Sequence, residues 1–245
     1  MLYIIGLGLS DAKDITAKGL DAVKKCEHIF LEVYTSKLNC GVHDLEKLYK
    51  KKIELADRSF VEDAAEILKK SKKEDVALLV IGDPLSATTH WDLMQRAKEK
   101  KIPVEVIHNA SIMSAIAATG LQLYKFGKTA SIPFPLDDYQ PETSYNIIKI
   151  NQSIGAHTLC LLDTQPEFMT VKEAIQILLD IEGNRKEGVF TRETLCIGCA
   201  RIGAKDQIIK AGKAKDLMDF DFGAPVQCLV VPGELHFVEE EALGL

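Results

Sequence analysis

The segment VALLVIGDPLSATTH, residues 76–90, holds the side chains best suited to chemistry. Its apolar run breaks abruptly at Gly82-Asp83-Pro84 and continues into hydroxyl side chains and a histidine. That order predicts a buried strand whose carboxyl end opens into a polar loop, which is where open α/β sheets bind their ligands. A carboxylate followed by hydroxyls gathers more polar groups than a turn requires. Asp83 is therefore the first candidate for a ligand-binding residue.

A plainer interpretation of the same loop is a turn that leads into a helix. Asp83 would begin the turn, and a hydroxyl of Ser86, Thr88 or Thr89 would cap the helix that follows. We expect His90 in the first helical turn, where a lone histidine is more often a surface or capping residue than a base. The loop sequence alone leaves both interpretations open.

Glycines follow the first predicted strand, in LYIIGLGLSD. Gly6 and Gly8, with Glu32 at the end of the second strand, partly match the fingerprint of dinucleotide-binding proteins. The third glycine of that fingerprint is missing, because position 11 is an aspartate that would repel a pyrophosphate. The match is weak evidence for NAD. A glycine pair that lets two chain segments approach closely is an equally good interpretation.

Small and polar residues follow two further strands. HNASIM, after the strand predicted at 103–107, places Ala110, Ser111 and Ser114 where they leave room for a flat or branched ligand. A tightly packed helix start explains them equally well. Tyr34-Thr35-Ser36 follows the second strand with an aromatic ring and two hydroxyls. Because the carboxyl ends of parallel strands lie at one edge of a sheet, these strand ends predict one common site.

Alternating strands and helices must carry these residues, in the βαβ pattern of a largely parallel sheet. Strands are predicted at residues 2–7, 28–33, 53–56, 76–81 and 103–107. Helices are predicted near residues 16–26, 43–51, 61–72 and 87–100. In the helix at 61–72 we expect Val61, Ala65 and Leu68 to share one apolar face.

The composition changes after HNASIM, which predicts a division into two domains. An N-terminal α/β domain takes residues 1–112 and a C-terminal α/β domain takes residues 113–245. The second opens with a turn-rich segment that ends near residue 141. It continues with helices at 143–151 and 170–182 and with strands at 157–162, 194–201 and 226–231. Fewer helices between strands indicate a mixed sheet with helices on its face, within an overall α/β fold class.

Composition and charge limit the classes of partner. The chain has 245 residues, of which 47% are hydrophobic and 27% charged, as is typical of a globular protein. Its net charge of −6 gives no basic footprint, so we expect no nucleic-acid partner. The start MLYIIGLGLSD resembles a strand rather than a signal peptide, and no apolar run approaches the roughly 18 residues of a membrane helix. We expect a cytoplasmic protein with no membrane partner.

Six cysteines are scattered through the chain, and one pair, Cys196 and Cys199, forms a CxxC motif. A zinc site would need two more ligands at matching spacing, and a redox site would place the pair at a helix N-terminus. TLCIGCARIG instead has the pattern of a strand, so the two side chains should point to opposite faces. We therefore favour reduced core cysteines, and no metal site is predicted.

The sequence blocks GLGLSDAKDIT, EVYTS, GDPLSATTH, HNASIM, GLQLYKFGK, HTLCLLD, LCIGCARIGAKDQ and a closing PG-x-LH together resemble the diphthine synthase family. That family belongs to the tetrapyrrole-methylase (class III) group of S-adenosylmethionine-dependent methyltransferases. The resemblance runs essentially from end to end. It implies a two-domain α/β protein, usually a homodimer, with the methyl donor bound in the cleft between the domains and S-adenosylhomocysteine as a product.

The resemblance also implies the substrate. This is a histidine of translation elongation factor 2 that already carries a 3-amino-3-carboxypropyl group, whose amine is methylated on the way to diphthamide. HNASIM, HTLCLLD and LCIGCARIGA resemble the eukaryotic members of the family. This resemblance implies that a fourth methyl is added, to the carboxylate. Two alternatives remain, a tetrapyrrole methyltransferase of the same fold and a nucleotide-binding protein without catalysis.

Donor-binding positions follow from the resemblance residue by residue. In the first domain they are Leu9, Asp83, Ser86, Ser111 and Ile112. In the second domain they are Leu162, Ile202 and Gln227. Position 227 is commonly a histidine in relatives, so the contact there would be made by backbone.

The resemblance names no catalytic residue, and the chemistry explains why none is visible. Methyl transfer from a sulfonium to a neutral amine creates no net charge, so alignment is the larger demand. An α-amino group with a pKa of about 7.7–8.0 is already partly neutral near pH 7.4, so a strong base is optional. We predict that Asp83 orients the donor near its charged centre.

Overall fold

A computed structural model of the chain describes residues 1–136 and 139–245. The chain divides into two compact units, Met1–Met113 and Ser114–Leu245, where the sequence predicted a division after residue 112. Of the predicted turn-rich segment before residue 141, Asp137 and Asp138 lie outside the described residues. Across the described part of the chain, no helix is long and apolar enough to cross a membrane.

The N-terminal unit is built on a parallel sheet of five strands in the order β3-β2-β4-β1-β5. The strands are β1 (Leu2–Gly6), β2 (His28–Glu32), β3 (Glu54–Ala56), β4 (Val76–Val80) and β5 (Val104–Ile107). All four pairings between neighbours are parallel. The predicted parallel sheet is confirmed.

The central strand β4 explains why this sheet is covered on both faces. Every residue of Val76–Val80 is buried. Val76, Leu78 and Val80 belong to one apolar cluster, whereas Ala77 and Leu79 belong to another. Since alternate residues of a strand point to opposite faces, each face of the sheet has its own core. The continuous apolar run in the sequence is the signature of such a doubly covered strand.

Apart from an added short helix at Ile112–Ala115, the helices of this unit differ from prediction at one place. They are α1 (Ala17–Lys25), α2 (Val42–Tyr49), α3 (Arg58–Asp63), α4 (Ala65–Ser71) and α5 (His90–Glu99), and α6 (Ile112–Ala115) crosses the division between the units. The single helix predicted at 61–72 is wrong, because Ala64 has a φ of 55° and separates α3 from α4. The kink buries Ala64 and exposes Ala65, so Ala65 does not share the apolar face.

The C-terminal unit contains a mixed sheet of five strands in the order β6-β7-β10-β8-β9. The strands are β6 (Ala130–Ile132), β7 (Thr158–Leu162), β8 (Leu195–Ala200), β9 (Ile208–Lys213) and β10 (Gln227–Val231). β6 and β7 are parallel, and the other three pairings are antiparallel. The predicted mixed sheet is confirmed, although β6 and β9 were not predicted.

Four helices accompany this sheet, α7 (Thr143–Ser153), α8 (Val171–Arg185), α9 (Ala214–Leu217) and α10 (Phe237–Leu243), of which α9 and α10 were not predicted. The longest, α8, begins with a capping box in which Thr170 and Glu173 each bond the other's backbone N–H. Cys196 and Cys199 lie in β8 and are fully buried free thiols, as predicted for a core strand.

Candidate active site

The ends of β1 and β4 are joined by glycine backbone. Gly8 and Gly82 both have a positive φ and form an isolated bridge, with N···O distances of 3.2 and 2.8 Å. A β-carbon on Gly6 would lie 2.6 Å from the carbonyl oxygen of Gly82, so no larger residue fits there. The glycines thus allow two strand ends to touch, and Leu9 follows the bridge half-buried.

Asp83 joins the end of β4 to the end of β5. Its Oδ1 accepts from the N–H of Leu85 at 2.9 Å and from the Ser86 hydroxyl at 3.2 Å. Its Oδ2 accepts from His108 Nδ1 at 2.7 Å and from the N–H of Asn109 at 3.2 Å. Both carboxylate oxygens are therefore used to hold two loops together.

These contacts determine the charge of Asp83. Burial alone would raise the pKa of its carboxyl, but hydrogen bonds from Leu85, His108 and Asn109 outweigh burial and lower the pKa below its usual range. Asp83 is therefore a buried anion at the carboxyl edge of the sheet. Such a group can attract a cationic ligand while keeping its own geometry.

Asn109 completes the junction and was not singled out in the sequence. Its Nδ2 donates to the carbonyl oxygen of Gly6 at 3.0 Å and to that of Asp14 at 2.9 Å. The side chain thereby ties the loop after β5 to the end of β1. The polar HNASIM block is a signal for this position, although its small residues, rather than Asn109, carry the predicted ligand contacts.

The predicted serines lie beside this junction. Ser111 is buried, its Cβ would be 3.7 Å from a β-carbon on Gly82, and its Oγ accepts from the N–H of Met113 at 3.2 Å. Ser86 and Ile112 are half-buried. Leu9, Asp83 and Ser111 thus follow the carboxyl ends of three neighbouring strands, β1, β4 and β5.

The end of β2 is joined to the loop after β4 through His90. This histidine is not the surface or capping residue expected from the sequence. His90 is 1% exposed, and its Nε2 lies 2.6 Å from Oε2 of Glu32, the last residue of β2. Its Nδ1 lies 3.0 Å from the carbonyl oxygen of Pro84. The carboxyl ends of β1, β2, β4 and β5 are therefore linked by direct contacts. That they form one ligand site stays a prediction.

The hydroxyls of this loop do not cap α5, contrary to the plainer interpretation. Thr89 is the N-cap residue, but its side chain makes no capping hydrogen bond. Thr88 instead donates to the carbonyl oxygen of Pro84 at 2.6 Å, and Ser86 donates to Asp83. The hydroxyls of Ser86 and Thr88 stabilise the loop itself by donating to its carboxylate and carbonyl acceptors.

The three positions predicted in the C-terminal unit lie at one edge of its own sheet. Leu162 ends β7, Ile202 follows β8, and Gln227 begins β10. Because β10 runs antiparallel to both β7 and β8, its first residue meets their last ones. Gln227 Oε1 accepts from the N–H of Val171 and its Nε2 donates to Gly223 O, both at 2.9 Å. Its side chain is thus occupied inside the unit.

Comparison with known proteins identifies the family. The model of the family described as Tetrapyrrole (Corrin/Porphyrin) Methylases matches residues 1–218. The chain belongs to the tetrapyrrole methylase family. It is therefore a methyltransferase, and the predicted α/β fold class is that of the solved structures it resembles.

Among tetrapyrrole methylases, this chain is similar to diphthine synthases along almost its whole length. It is 50% identical to the diphthine methyl ester synthase of Dictyostelium discoideum, covering 98% of this chain and 96% of that protein. Identity to the Homo sapiens protein of the same name is 47%, over 100% and 94% of the two chains. Identity to the diphthine synthase of Methanocaldococcus jannaschii is 45%, over 99% and 97%. A crystal structure of diphthine synthase superposes with a TM-score of 0.92 at 36% identity, covering 99% and 94%.

The junction in the N-terminal unit fits a methyl donor that is cationic and partly flat. The buried carboxylate of Asp83 stays charged, backbone groups follow the glycines at the ends of β1 and β4, and Ala110 and Ser111 are small. A sulfonium centre suits the first feature, and an adenosine group suits the others. No cluster of three or more metal-ligating side chains occurs within residues 1–136 and 139–245.

Proposed function

We propose that this tetrapyrrole methylase is an S-adenosylmethionine-dependent methyltransferase of diphthamide biosynthesis. Its substrate is the histidine of translation elongation factor 2 that carries a 3-amino-3-carboxypropyl group. The observation that carries the proposal is the 45–50% sequence identity to diphthine synthases, over nearly the full length of this chain and of each relative. A tetrapyrrole substrate is the alternative that the family name suggests.

We propose Leu9, Asp83, Ser86, Ser111 and Ile112 as donor-binding residues of the N-terminal unit. Leu162, Ile202 and Gln227 are the proposed donor-binding residues of the C-terminal unit. When bound, S-adenosylmethionine supplies a methyl group on a sulfonium centre. Asp83 offers a fixed negative charge, and its two loops hold the backbone groups that follow β4 and β5. That both sets of residues serve one donor molecule stays a prediction from the resemblance.

Gln227 has a positioning role in this proposal. Its amide already bonds Val171 and Gly223, so its side chain fixes the start of α8 and leaves its backbone for the donor. The difference from the histidine common in relatives is therefore compatible with donor binding at this position.

The number of methyl groups distinguishes two versions of the proposal. We propose trimethylation of the amine followed by a methyl ester on the carboxylate, because the relatives with 47–50% identity are named diphthine methyl ester synthases. An enzyme of the archaeal kind would stop at the amine.

The decisive experiment incubates the chain with S-adenosylmethionine and elongation factor 2 carrying the unmethylated precursor, and counts added methyls by mass spectrometry. Four methyls support the full proposal, and three support amine methylation alone. A parallel incubation with a tetrapyrrole tests the alternative. Methylation of the tetrapyrrole but not of the protein would reject the proposed substrate.

The role of Asp83 has its own test. Asp83→Ala should weaken donor binding measured by calorimetry, because it removes the charge and releases both loops. Asp21→Ala, an exposed carboxylate on α1, is the matched control and should bind normally. Unchanged affinity and unchanged turnover in Asp83→Ala would contradict the assignment.

We also propose that the enzyme acts in the cytoplasm as a homodimer, as the family resemblance implies. Light scattering of the purified chain tests the second part. A monomer at the concentration used for catalysis would reject it.

A further inference from the structure

Glu32 and His90 form a buried ion pair beside the loop that carries Asp83. Their side chains are 0% and 1% exposed, and Nε2 of His90 lies 2.6 Å from Oε2 of Glu32. The other carboxylate oxygen accepts a hydrogen bond from the hydroxyl of Thr35. A buried charged pair is costly unless its geometry is good and its remaining atoms are bonded. The remaining atoms are bonded here, whereas Oε2 of Glu32 and Nε2 of His90 meet at ion-pair distance without hydrogen-bond alignment. Donor binding by the proposed residues does not use this pair.

The surroundings of the ring favour a doubly protonated histidine. Nε2 faces a carboxylate and Nδ1 faces the carbonyl oxygen of Pro84, so both nitrogens meet acceptors. A neutral imidazole would turn one lone pair toward an acceptor. Burial alone lowers the pKa of His90, but the close negative charge of Glu32 and the Pro84 carbonyl raise it above its ordinary value.

Charged groups around the ring are mainly acidic and favour the same state. Glu62 of α3 and Asp92 of α5 line a surface cavity of about 230 Å³ together with His90. Burial, with Glu32 and Glu62, raises the pKa of Tyr34 to about 12, so its hydroxyl stays neutral. Arg58 is the nearby cation and lies 5.4 Å from the centre of the Tyr34 ring.

His90 acts on the loop through one atom. The Pro84 carbonyl accepts from His90 Nδ1 at 3.0 Å and from the Thr88 hydroxyl at 2.6 Å. Pro84 directly follows Asp83. A constraint on the Pro84 carbonyl therefore fixes the peptide bond between Pro84 and Leu85, at the start of the loop after Asp83. If His90 no longer donated from Nδ1, the Pro84 carbonyl would keep only the hydrogen bond from Thr88.

We propose that Glu32 and His90 are positioning residues for the methyl donor, holding the Pro84 carbonyl and thereby fixing the loop that presents Asp83 and Ser86. This inference rests on the proposed function. His90 is not a candidate base, because it is buried and both ring nitrogens already face partners.

Two substitutions separate the geometry of the pair from its charge. His90→Gln removes the ring and its two opposed donors. Glu32→Gln keeps the contacts, because the new amide can accept from Thr35 and donate to Nε2, while a neutral imidazole still donates from Nδ1 to Pro84. The measurements are the Kd for S-adenosylmethionine by calorimetry between pH 6.5 and 8.5, and KM and kcat with precursor elongation factor 2.

His90→Gln should raise the Kd and the donor KM about tenfold, the equivalent of one lost hydrogen bond to a charged group, with a smaller change in kcat. Glu32→Gln should bind the donor almost as the wild type does at pH 7. The wild type should bind more weakly as the pH rises through the raised pKa of His90. Glu32→Gln should lack this component of the pH profile.

His157→Gln is the matched control, since His157 is also buried against a glutamate but lies in the C-terminal unit. It should lower the melting temperature and keep the wild-type donor Kd and pH profile. A loss of stability in His90→Gln with unchanged Kd and KM would overturn the inference. If that variant does not fold, a wild-type pH profile in Glu32→Gln overturns it. Failure of the wild type to bind S-adenosylmethionine would instead reject the proposed function.

Discussion

Each unit buries one histidine against one glutamate, and the two pairs differ in what the second ring nitrogen faces. In the N-terminal unit, His90 Nδ1 points at the Pro84 carbonyl, an acceptor. In the C-terminal unit, His157 Nδ1 accepts from the N–H of Gly233 at 3.0 Å, and its Nε2 lies 3.0 Å from Glu239 Oε1. His157 therefore needs a lone pair on Nδ1 and is neutral, whereas His90 is suited to carry two protons.

A lysine beside Glu239 strengthens the contrast between the two histidine–glutamate pairs. Lys125 Nζ lies 2.5 Å from Glu239 Oε2, so that carboxylate already has a cation. Burial lowers the pKa of His157, the charge of Lys125 lowers it further, and the opposing contributions from Glu239 do not restore it. For a buried histidine and glutamate, the partner of the second nitrogen and the presence of another cation decide the charge. The charged pair lies next to the proposed donor loop, and the neutral one fastens α10.

Glu239→Ala should have the largest effect among the substitutions that test this contrast. Glu239 is fully buried and accepts from the backbone N–H groups of Gln122 and His236 and from the side chains of Lys125 and His157. Removing it takes the acceptor from all four donors, of which Lys125 keeps a second acceptor, the carbonyl oxygen of Glu234. The free energy of unfolding in urea should therefore fall by about 3–5 kcal/mol. A loss near that of an exposed pair would mean that the four contacts do not act together.

His157→Gln should cost less, about 2 kcal/mol, because Glu239 keeps three of its donors and one backbone N–H loses its acceptor. The ring also packs edge-on against Phe126 at 5.4 Å between centroids, which glutamine cannot reproduce. Because the folded pKa of His157 is lowered, the unfolded chain binds more protons. Wild-type stability should therefore fall as the pH drops below about 6.5, and the variant should lack this component. An identical pH dependence in both proteins would show that folding does not shift the pKa of His157.

Sequence patterns predicted the strands that the two cores bury and missed elements without a strong pattern. The apolar run at 76–81 identified β4 because both faces of that strand are covered. β6 has only three residues, and β9 is a half-buried strand, so neither forms an apolar run. The kink at Ala64 could not be predicted, because alanine favours helix and its positive φ depends on tertiary packing.

The candidate site shows a similar limit. Asp83 and Ser111 were identified because polar or small residues after apolar strands indicate a sheet edge. The pairing of Glu32 with His90 was missed, because it joins residues far apart in the chain and a lone histidine gives no periodic signal. Asn109 lies in the HNASIM segment, but its two carbonyl partners belong to segments distant in the chain, so no local pattern indicates these contacts.

Glu32→Gln should lower stability by about 1 kcal/mol at pH 6, because it removes the charge of the buried pair but keeps its contacts. Because the folded pKa of His90 is raised, the stabilisation is complete below the unfolded value of about 6.5 and is lost as the pH rises through the folded value. The difference between wild type and variant should therefore shrink toward pH 9, opposite in sign to the His157 pair. Thermal unfolding of both proteins across this range measures it. A difference that grows with pH would mean that His90 is neutral.

The smallest effect is expected at His28, the first residue of the same strand that Glu32 ends. His28 Nε2 lies 2.6 Å from Glu74 Oε2, the same separation as in the buried Glu32–His90 pair, but the two side chains are 28% and 48% exposed. Since water solvates both partners when the contact is lost, His28→Gln should change the free energy of unfolding by at most about 0.5 kcal/mol. The urea denaturation midpoint, compared at low and high salt, measures this change. A loss as large as that of His157→Gln would show that distance, rather than burial and the partner of the second nitrogen, determines what such a pair contributes.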